Sequence, residues 1–119
     1  MKTFLALALV CLAARAFGET GVASWYGEEH RGKTMANGRP FDPDKLTCAS
    51  WFYPFGTRLE VRHSDRSVIV TVTDRGPAKR LVRKENRIVD LSRAAFARLA
   101  DTKLGLINVK LTPVYENHP

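Results

Sequence analysis

The sequence predicts a small, mainly β protein that closes into a barrel and carries one short helix. The 119 residues, 45% of them hydrophobic, are enough for one domain with a single core. Several short segments alternate apolar and polar residues with a period of two, which is typical of strands. Only one segment has helical spacing. Closing the strands into a barrel removes the edge strands that would otherwise aggregate.

The first sixteen residues are predicted to be a signal peptide. Lys2 gives a positive start, residues 4–14 are almost wholly apolar, and residues 14–16 have the small-x-small pattern of a cleavage site. The apolar run is too short to span a bilayer as a helix, which takes about 20 residues. We therefore expect residues 17–119 to form an exported domain, periplasmic or extracellular, that is soluble and has no stable membrane anchor.

The net charge and the cysteine content limit the kinds of partner that the protein can bind and the interactions that can stabilise it. The formal net charge of +7 favours an anionic partner. Export argues against nucleic acid as that partner. Removal of the signal peptide would leave Cys48 without another cysteine, so the domain would contain no internal disulfide. Cys48 is then either a small buried hydrophobic residue, which is the commoner case, or a reactive or intermolecular thiol.

The N-terminal half is predicted to contain two strands separated by a long ordered loop. Residues 21–26 are a β-prone run that ends at Gly27. Residues 28–43 are polar and interrupted by glycine and proline, which favours a loop over a helix. Loops of this length often carry function. Residues 46–52 are predicted to form the second strand, which Pro54 ends.

A β-hairpin is predicted in the middle of the chain. Leu59 and Val61 alternate with polar residues before a turn at 63–66, and three valines at 68, 70 and 72 alternate after it. Residues 74–77 end the second strand of this hairpin. The basic segment 79–84 is predicted to continue as a loop.

The C-terminal part is predicted to hold a strand, the helix and a last strand. Residues 87–90 form a brief strand. Ser92 is placed to cap a helix over 93–100, since its hydroxyl can accept a hydrogen bond from a free backbone N–H. Alanine, phenylalanine and leucine at 95, 96 and 99 share one side of that helix, which suits packing on a sheet. The last strand covers 107–111.

Asp74 is the first candidate for a catalytic residue. It follows a valine-rich strand and precedes Arg75-Gly76-Pro77, so a tight turn and apolar packing would fix its direction. The alternative is that Asp74 only caps the turn or pairs with Arg75. Arg75 in turn either binds an anionic substrate or is a structural partner. Glu28 and Glu29 are further candidates if they reach a cleft beside Asp74, and otherwise lie on a solvated loop.

The sequence lacks the patterns of several other chemistries. Its histidines show no metal-ligand spacing with one another or with Cys48, so we expect no metal and no cofactor. It contains no Gly-x-Ser-x-Gly, no phosphate-binding loop and no Cys-x-x-Cys. Aromatic residues near the ends of strands either stack on sugar rings or pack in the core. They are Trp25, Tyr26, Trp51, Phe52 and Tyr53.

Short motifs in a fixed order resemble those of the RlpA-like (rare lipoprotein A) family. They are ASWYG at 23–27, MANG at 35–38 with FD at 41–42, LT at 46–47, PFGT at 54–57, RSV at 66–68, DRGP at 74–77 and IVDLS at 88–92. The resemblance extends over about residues 21–111. It implies a six-stranded double-psi β-barrel. It also implies a peptidoglycan lytic transglycosylase, which cleaves glycan strands without water and leaves a 1,6-anhydro end.

The resemblance further implies which residues act. Because a hydroxyl of the substrate is the nucleophile, such an enzyme needs one well-placed acid/base. Active RlpA proteins use a Glu after the Ala-Ser/Asn-Gly motif, a His after Thr-Ala-Ala and the Asp of Asp-Arg-Gly-Pro. These positions hold Arg39, Ser50 and Asp74 here. Arg39 cannot act as a general acid because a guanidinium keeps its proton, and Ser50 can only form hydrogen bonds.

Two functions are therefore open at the level of sequence. The first is an exported peptidoglycan lytic transglycosylase with Asp74 as the catalytic residue. The second is a non-catalytic, expansin-like barrel that binds glycan, which the residues at 39 and 50 favour. Both imply peptidoglycan glycan strands as the partner, no nucleic acid, and a monomer. The residues predicted to bind substrate are Trp25, Tyr26, Ser50, Trp51 and Arg75.

Overall fold

The computed structural model describes residues 18–115, which form a closed barrel of six strands. The strands are β1 (Glu19–Tyr26), β2 (Thr47–Ala49), β3 (Arg58–His63), β4 (Arg66–Asp74), β5 (Arg87–Ser92) and β6 (Ile107–Pro113). Around the barrel they follow the order β1-β5-β2-β4-β3-β6. β1 pairs with β5 in parallel, as does β2 with β4, and the other neighbours are antiparallel. The predicted mainly β, six-stranded barrel is confirmed.

The predicted signal peptide, residues 1–16, lies outside the described residues. Within residues 18–115, no helix has the length and apolar character needed to cross a membrane.

β3 and β4 form the predicted hairpin. Leu59 pairs with Val70, and Val61 with Val68, and all four side chains are buried. Side chains of a strand project alternately to its two sides, so this alternation sends one side of the hairpin into the core. Ser64, in the turn, adopts a φ of 56°.

The barrel interior and the helix packed against it form one hydrophobic core. Its largest fully buried side chains include a phenylalanine from the helix and leucines and valines from β3, β4, β5 and β6. These are Phe96, Leu59, Leu91, Leu111, Val61, Val70, Val72 and Val89. Burial of this apolar surface is the main favourable contribution to folding, and among residues 18–115 the only free cysteine, Cys48, belongs to the same core.

Residues 18–115 contain two α-helices, whereas the sequence predicts one. The predicted helix is α2 (Arg93–Leu99), and the Ser92 side chain accepts a hydrogen bond from the Ala95 N–H as expected of an N-cap. The basic segment predicted as loop is α1 (Lys79–Glu85). Its N-cap residue, Ala78, has no side-chain oxygen and its first turn holds no acidic residue, so the usual start signals are missing. Asn86 ends it in the left-handed conformation.

The second strand is shorter than predicted. β2 ends at Ala49, whereas the sequence favours a strand to residue 52. The following backbone groups are used elsewhere, because the Ser50 N–H donates to the Asp74 carbonyl and the Ser50 carbonyl accepts from Arg75. The long loop before β2 is ordered as predicted, with a 3-10 turn at Glu28–His30 and a bridge between Thr34 and Pro40.

Candidate functional site

Four residues on four neighbouring strands form a row across the sheet. Ser24 on β1 pairs with Asp90 on β5, Asp90 pairs with Ala49 on β2, and Ala49 pairs with Asp74 on β4. Residues paired in this way project to the same side of a sheet, so the two carboxyl groups flank the methyl group of Ala49. With neighbouring strands about 4.8 Å apart, the Cα atoms of the two aspartates are about 10 Å apart. We call these four residues the carboxyl row.

A β-bulge brings Asp74 into the carboxyl row. Cys48 pairs with Val72 and Ala49 with Asp74, which leaves Thr73 without a partner on β2. In an unbroken ladder Ala49 would pair with Thr73, and Asp74 would project to the opposite side. The extra residue therefore places the carboxyl group of Asp74 on the same side of the sheet as Ala49 and Asp90.

Backbone donors hold one oxygen of Asp74. Its Oδ1 accepts hydrogen bonds from the Ala36 N–H at 2.9 Å and from the Arg75 N–H at 2.8 Å. The N–H of Ser50 donates to the Asp74 carbonyl at 3.1 Å, which joins the ends of β2 and β4. No residue within 18–115 donates a hydrogen bond to Oδ2, and Asp74 is partly exposed. One carboxyl oxygen is thus fixed and the other is available to a ligand.

Asp90 lies in different surroundings. The Ser24 hydroxyl donates a hydrogen bond to its Oδ1. Its Oδ2 lies against the backbone of Gly76, where an added Cβ would be only 3.1 Å away. Burial, and to a smaller extent the charge of Asp74, raises the pKa of Asp90, although the Ser24 hydrogen bond opposes the rise. Asp90 therefore keeps a proton to a higher pH than an ordinary aspartate.

Tyr26 follows Ser24 by two residues on β1, so it lies on the same side of the sheet as the carboxyl row. Its ring stacks on Phe41 at 4.2 Å between centroids and meets the His30 ring edge-on at 5.7 Å. Burial first, and then the charges of Asp74 and Asp90, raise the pKa of its hydroxyl. The hydroxyl is buried and has no hydrogen-bond partner within the described residues. Tyr26 therefore presents an unused donor beside the carboxyl row.

Ser50 and Arg75, two of the predicted substrate-binding residues, make internal contacts. Ser50 is fully buried, and its Oγ accepts a hydrogen bond from the Phe52 N–H at 3.1 Å. Arg75 Nη1 donates to the carbonyls of Ser50 and Tyr53 at 2.8 and 2.9 Å, and its guanidinium lies 4.0 Å from the centroid of the Phe55 ring. These contacts match the structural alternative for Arg75, because they attach the loop after Asp74 to the loop after β2.

The two tryptophans differ in exposure. Trp25 packs against the core, and its indole N–H donates to the Thr102 carbonyl at 3.0 Å. Trp51 is 41% exposed, and its indole N–H donates to the Pro77 carbonyl at 2.6 Å. Lys79 places its ammonium 4.7 Å from the Trp51 ring centroid. Trp51 therefore offers an open ring beside the loop that follows Asp74, whereas Trp25 is largely enclosed.

The glutamates after β1 pair with neighbouring side chains of their own loop. Glu28 pairs with Arg31 at 2.6 Å, and this hydrogen bond lowers the pKa of Glu28. Arg31 also contacts Asp44 at 2.9 Å. Glu29 is exposed and lies 3.8 Å from His30. The second carboxyl group beside Asp74 is Asp90, which the sequence marks only as part of the IVDLS motif at 88–92.

The described residues offer no obvious metal site. Within 18–115, no group of three or more His, Cys, Asp or Glu side chains is placed to hold a metal ion. Cys48 is fully buried, and burial raises the pKa of its thiol, so it matches the interpretation as a core residue.

Residues 18–111 match the sequence profile of a family described as lytic transglycolase. The chain belongs to this family. The endolytic peptidoglycan transglycosylase RlpA of Rickettsia bellii (strain RML369-C) is 41% identical over 104 residues, which cover 83% of this chain and 44% of that protein. The match spans less than half the length of each curated relative compared. The predicted resemblance to RlpA-like double-psi barrels is confirmed.

Two solved structures share the fold. The Streptomyces papain inhibitor (SPI) superposes with a TM-score of 0.66 at 27% identity, covering 82% of this chain and 94% of that chain. An expansin of Clavibacter michiganensis superposes with a TM-score of 0.66 at 25% identity, covering 87% of this chain and 53% of that chain. The fold is therefore found in proteins with different names, and the function has to be argued from the site.

Proposed function

We propose that the chain is an exported peptidoglycan lytic transglycosylase that acts as a monomer. The observation that carries the proposal is the carboxyl row, in which Asp74 and Asp90 flank Ala49 in different surroundings. Relatives named endolytic peptidoglycan transglycosylase RlpA support peptidoglycan as the substrate. The signal peptide predicted at residues 1–16 supports export.

Asp90 is the proton donor in this proposal. Breaking the bond between C1 of N-acetylmuramic acid and O4 of N-acetylglucosamine requires a proton on the leaving oxygen. Because Ser24 donates to Oδ1 of Asp90, the carboxyl proton belongs on Oδ2. Burial raises the pKa of Asp90, so this proton is kept to a higher pH than in a solvated aspartate.

Asp74 is the proton acceptor. The C6 hydroxyl of the muramic acid attacks C1, which forms the 1,6-anhydro ring while the C1–O4 bond breaks. The proton of that hydroxyl passes to Oδ2 of Asp74, since Oδ1 is occupied by two backbone donors. One proton leaves Asp90 and one arrives on Asp74, so return of a proton through solvent resets the site. No water is consumed.

An exposed aromatic ring near the carboxyl row binds the strand. The exposed ring of Trp51 stacks on a sugar, since sugar faces are apolar and Trp51 lies beside the loop after Asp74. The Tyr26 hydroxyl is buried, so Tyr26 acts by packing its ring against Phe41 and not by contacting the glycan directly. Arg75 acts by holding the loop.

A non-catalytic, expansin-like glycan-binding barrel is the second candidate. The observation that favours it is Ser50, which is fully buried at the position where the RlpA resemblance implies a histidine. The fold shared with the Clavibacter michiganensis expansin adds support. In that case the carboxyl row would only bind sugar hydroxyls.

The two candidates differ in what two amide variants do to purified sacculi. For a transglycosylase, Asp74→Asn and Asp90→Asn each reduce the release of soluble glycan fragments at least 100-fold, in keeping with the usual contribution of acid/base catalysis. Sacculus binding in a pull-down is retained. Asp65→Asn, in the exposed hairpin turn, is the matched control and keeps full release. Binding without any release by the unaltered protein would favour the second candidate.

A further inference from the structure

A groove opens beside Asp74 on the side of the long loop. Its lining includes Asn37, Arg39, Lys45 and Thr73. Thr73 immediately precedes Asp74, and the Asn37 N–H donates to the Thr73 carbonyl at 3.3 Å. The next residue back, Ala36, donates to Asp74 itself. The backbone at residues 36–37 and at the end of β4 therefore connects the groove to Asp74, which does not itself line it.

The groove carries an excess of positive charge. Arg39 and Lys45 are exposed, and neither forms an ion pair with any residue in 18–115. Asp42 also lines the groove, but its Oδ1 lies 3.4 Å from Arg31 Nη1, so its charge is already shared. Two cations thus remain to be matched by an anion from outside the chain.

The backbone under Arg39 is fixed by its own loop. The Arg39 N–H donates to the Asn37 Oδ1 at 3.0 Å, and the Arg39 carbonyl accepts from the Met35 N–H at 2.8 Å. The bridge between Thr34 and Pro40 closes the same turn. Because the backbone at Arg39 is already fixed, less conformational entropy is lost when its side chain binds a ligand. The planar set of donors on a guanidinium matches a carboxylate.

We propose that Arg39, with Lys45, forms a subsite for a carboxylate carried by the glycan strand next to the bond that is cleaved. The identity of the strand rests on the proposed function, whereas the preference for an anion rests on the groove. Two sources offer this chemistry in peptidoglycan. One is the lactyl group of muramic acid once its peptide is removed, and the other is the peptide itself.

The test is equilibrium binding of glycan strands of matched length in an Asp74→Asn background, which prevents cleavage. Three strands are compared: strands freed of peptide by an amidase, strands that keep their peptides, and peptide-free strands whose carboxylates have been converted to methylamides. Arg39→Gln should weaken binding of at least one carboxylate-bearing strand about tenfold, as loss of a charged hydrogen bond implies. Binding of the methylamide strand should change less than twofold.

Comparison of the three strands identifies which carboxylate binds and shows whether the subsite exists. A loss confined to peptide-free strands assigns the lactyl carboxylate, and a loss confined to peptide-bearing strands assigns the peptide. Arg98→Gln, exposed on α2 and outside the groove lining, is the matched control and should leave all three affinities unchanged. Equal effects of Arg39→Gln on charged and methylamide strands, or no effect on any, would overturn the subsite.

Cleavage by the chain with Asp74 intact is scored separately. A chain that cleaves strands yet binds them without regard to Arg39 contradicts the subsite alone. A chain that binds carboxylates through Arg39 but never cleaves contradicts the proposed function alone.

Discussion

At the scale of single residues, Asp90 couples stability to pH. Burial and the charge of Asp74 raise its pKa, and the Ser24 hydrogen bond with the charges of Arg87 and His30 opposes them. An acid whose folded-state pKa lies above its unfolded value of 3.8 binds more protons when folded across the interval between the two values. The free energy of unfolding therefore falls as pH rises through that interval and stays lower above it.

Asp90→Asn should raise the melting temperature at pH 7 while it reduces glycan release at least 100-fold. The amide keeps the hydrogen bond from Ser24 but has no charge to bury, so the loss of stability at higher pH disappears. Thermal unfolding at pH 7 and at a pH below 3.8 measures the effect, with Asp65→Asn as the exposed control. A variant that is less stable than the parent chain at both pH values would contradict the burial argument.

Ser92→Ala should reduce the free energy of unfolding by about 1 to 3 kcal/mol. The Ser92 hydroxyl caps α2 through the Ala95 N–H at 3.3 Å and donates to the Lys45 carbonyl at 2.6 Å, so its loss leaves buried groups unpaired. Urea unfolding compares it with Ser67→Ala, an exposed serine on β4 that should change stability by less than about 0.5 kcal/mol. Equal costs for the two variants would contradict the capping role.

Single residues differ in how well the sequence predicts them. Asp74 is predictable because it ends an alternating strand and begins a run with glycine and proline. Asp90 is not, since its importance depends on the pairing of β5 with both β1 and β2, and neither pairing is local in the sequence. The β-bulge that turns Asp74 toward Ala49 likewise has no sequence signal, because it is a property of two strands in register.

At the scale of elements, the loop between β4 and α1 packs over the carboxyl row. Gly76 packs where a Cβ would be 3.1 Å from Asp90 Oδ2 and 3.3 Å from the Ala49 Cβ. Arg75 attaches the loop to the carbonyls of Ser50 and Tyr53. The loop therefore covers Asp90 closely, and a Cβ at position 76 would require Asp90 and Ala49 to shift by a few tenths of an ångström.

Gly76→Ala should lower glycan release about tenfold or more with a smaller effect on sacculus binding. The added methyl group requires either the Asp90 carboxyl or the loop to shift by a few tenths of an ångström, and the φ of +158° at Gly76 adds backbone strain, so a reacting group is misplaced. Release assays with Gly38→Ala as the comparison measure it, because an added Cβ at Gly38 meets nothing within 4 Å, although its φ of +88° adds strain. Full activity of Gly76→Ala would show that the fit at this position is unimportant.

The elements also show where local patterns suffice. The β3–β4 hairpin follows from strict alternation, and α2 follows from its cap and its one apolar side, with Ala95, Phe96 and Leu99 buried. α1 is missed because none of its side chains is fully buried, so no apolar stripe marks it. Its preceding Ala78 and basic first turn give no start signal either.

At the scale of the whole molecule, α2 joins the barrel through one large side chain. Phe96 is fully buried and its ring centroid lies 6.3 Å from that of Trp25. Phe96→Ala should reduce the free energy of unfolding by about 3 to 5 kcal/mol, because it leaves a cavity in the only large core described. Urea unfolding tests this, and Arg98→Ala on the exposed side of α2 should cost less than about 0.5 kcal/mol. A decrease of less than about 1 kcal/mol for Phe96→Ala would show that packing of Phe96 contributes little to the stability of the fold.

Closure of the barrel explains why the fold is easier to predict than the site. Short alternating segments of the sequence predict the number of strands and their apolar sides. The family motifs predict the order of the strands in the barrel. The carboxyl row arises only when β1, β5, β2 and β4 lie side by side, so its members are scattered from residue 24 to residue 90. Functional groups gathered by non-local pairing leave little trace in any short window of sequence.

The most direct test of the central claim is the chemistry of the cleaved ends. Peptidoglycan is incubated with the chain in water enriched in oxygen-18, and the soluble fragments are analysed by mass spectrometry. Cleavage by the Asp74 and Asp90 pair with the substrate's own hydroxyl as nucleophile predicts 1,6-anhydro-muramyl ends without oxygen-18, and none from Asp74→Asn. Reducing ends that carry oxygen-18, or anhydro ends formed equally by Asp74→Asn, would contradict the account.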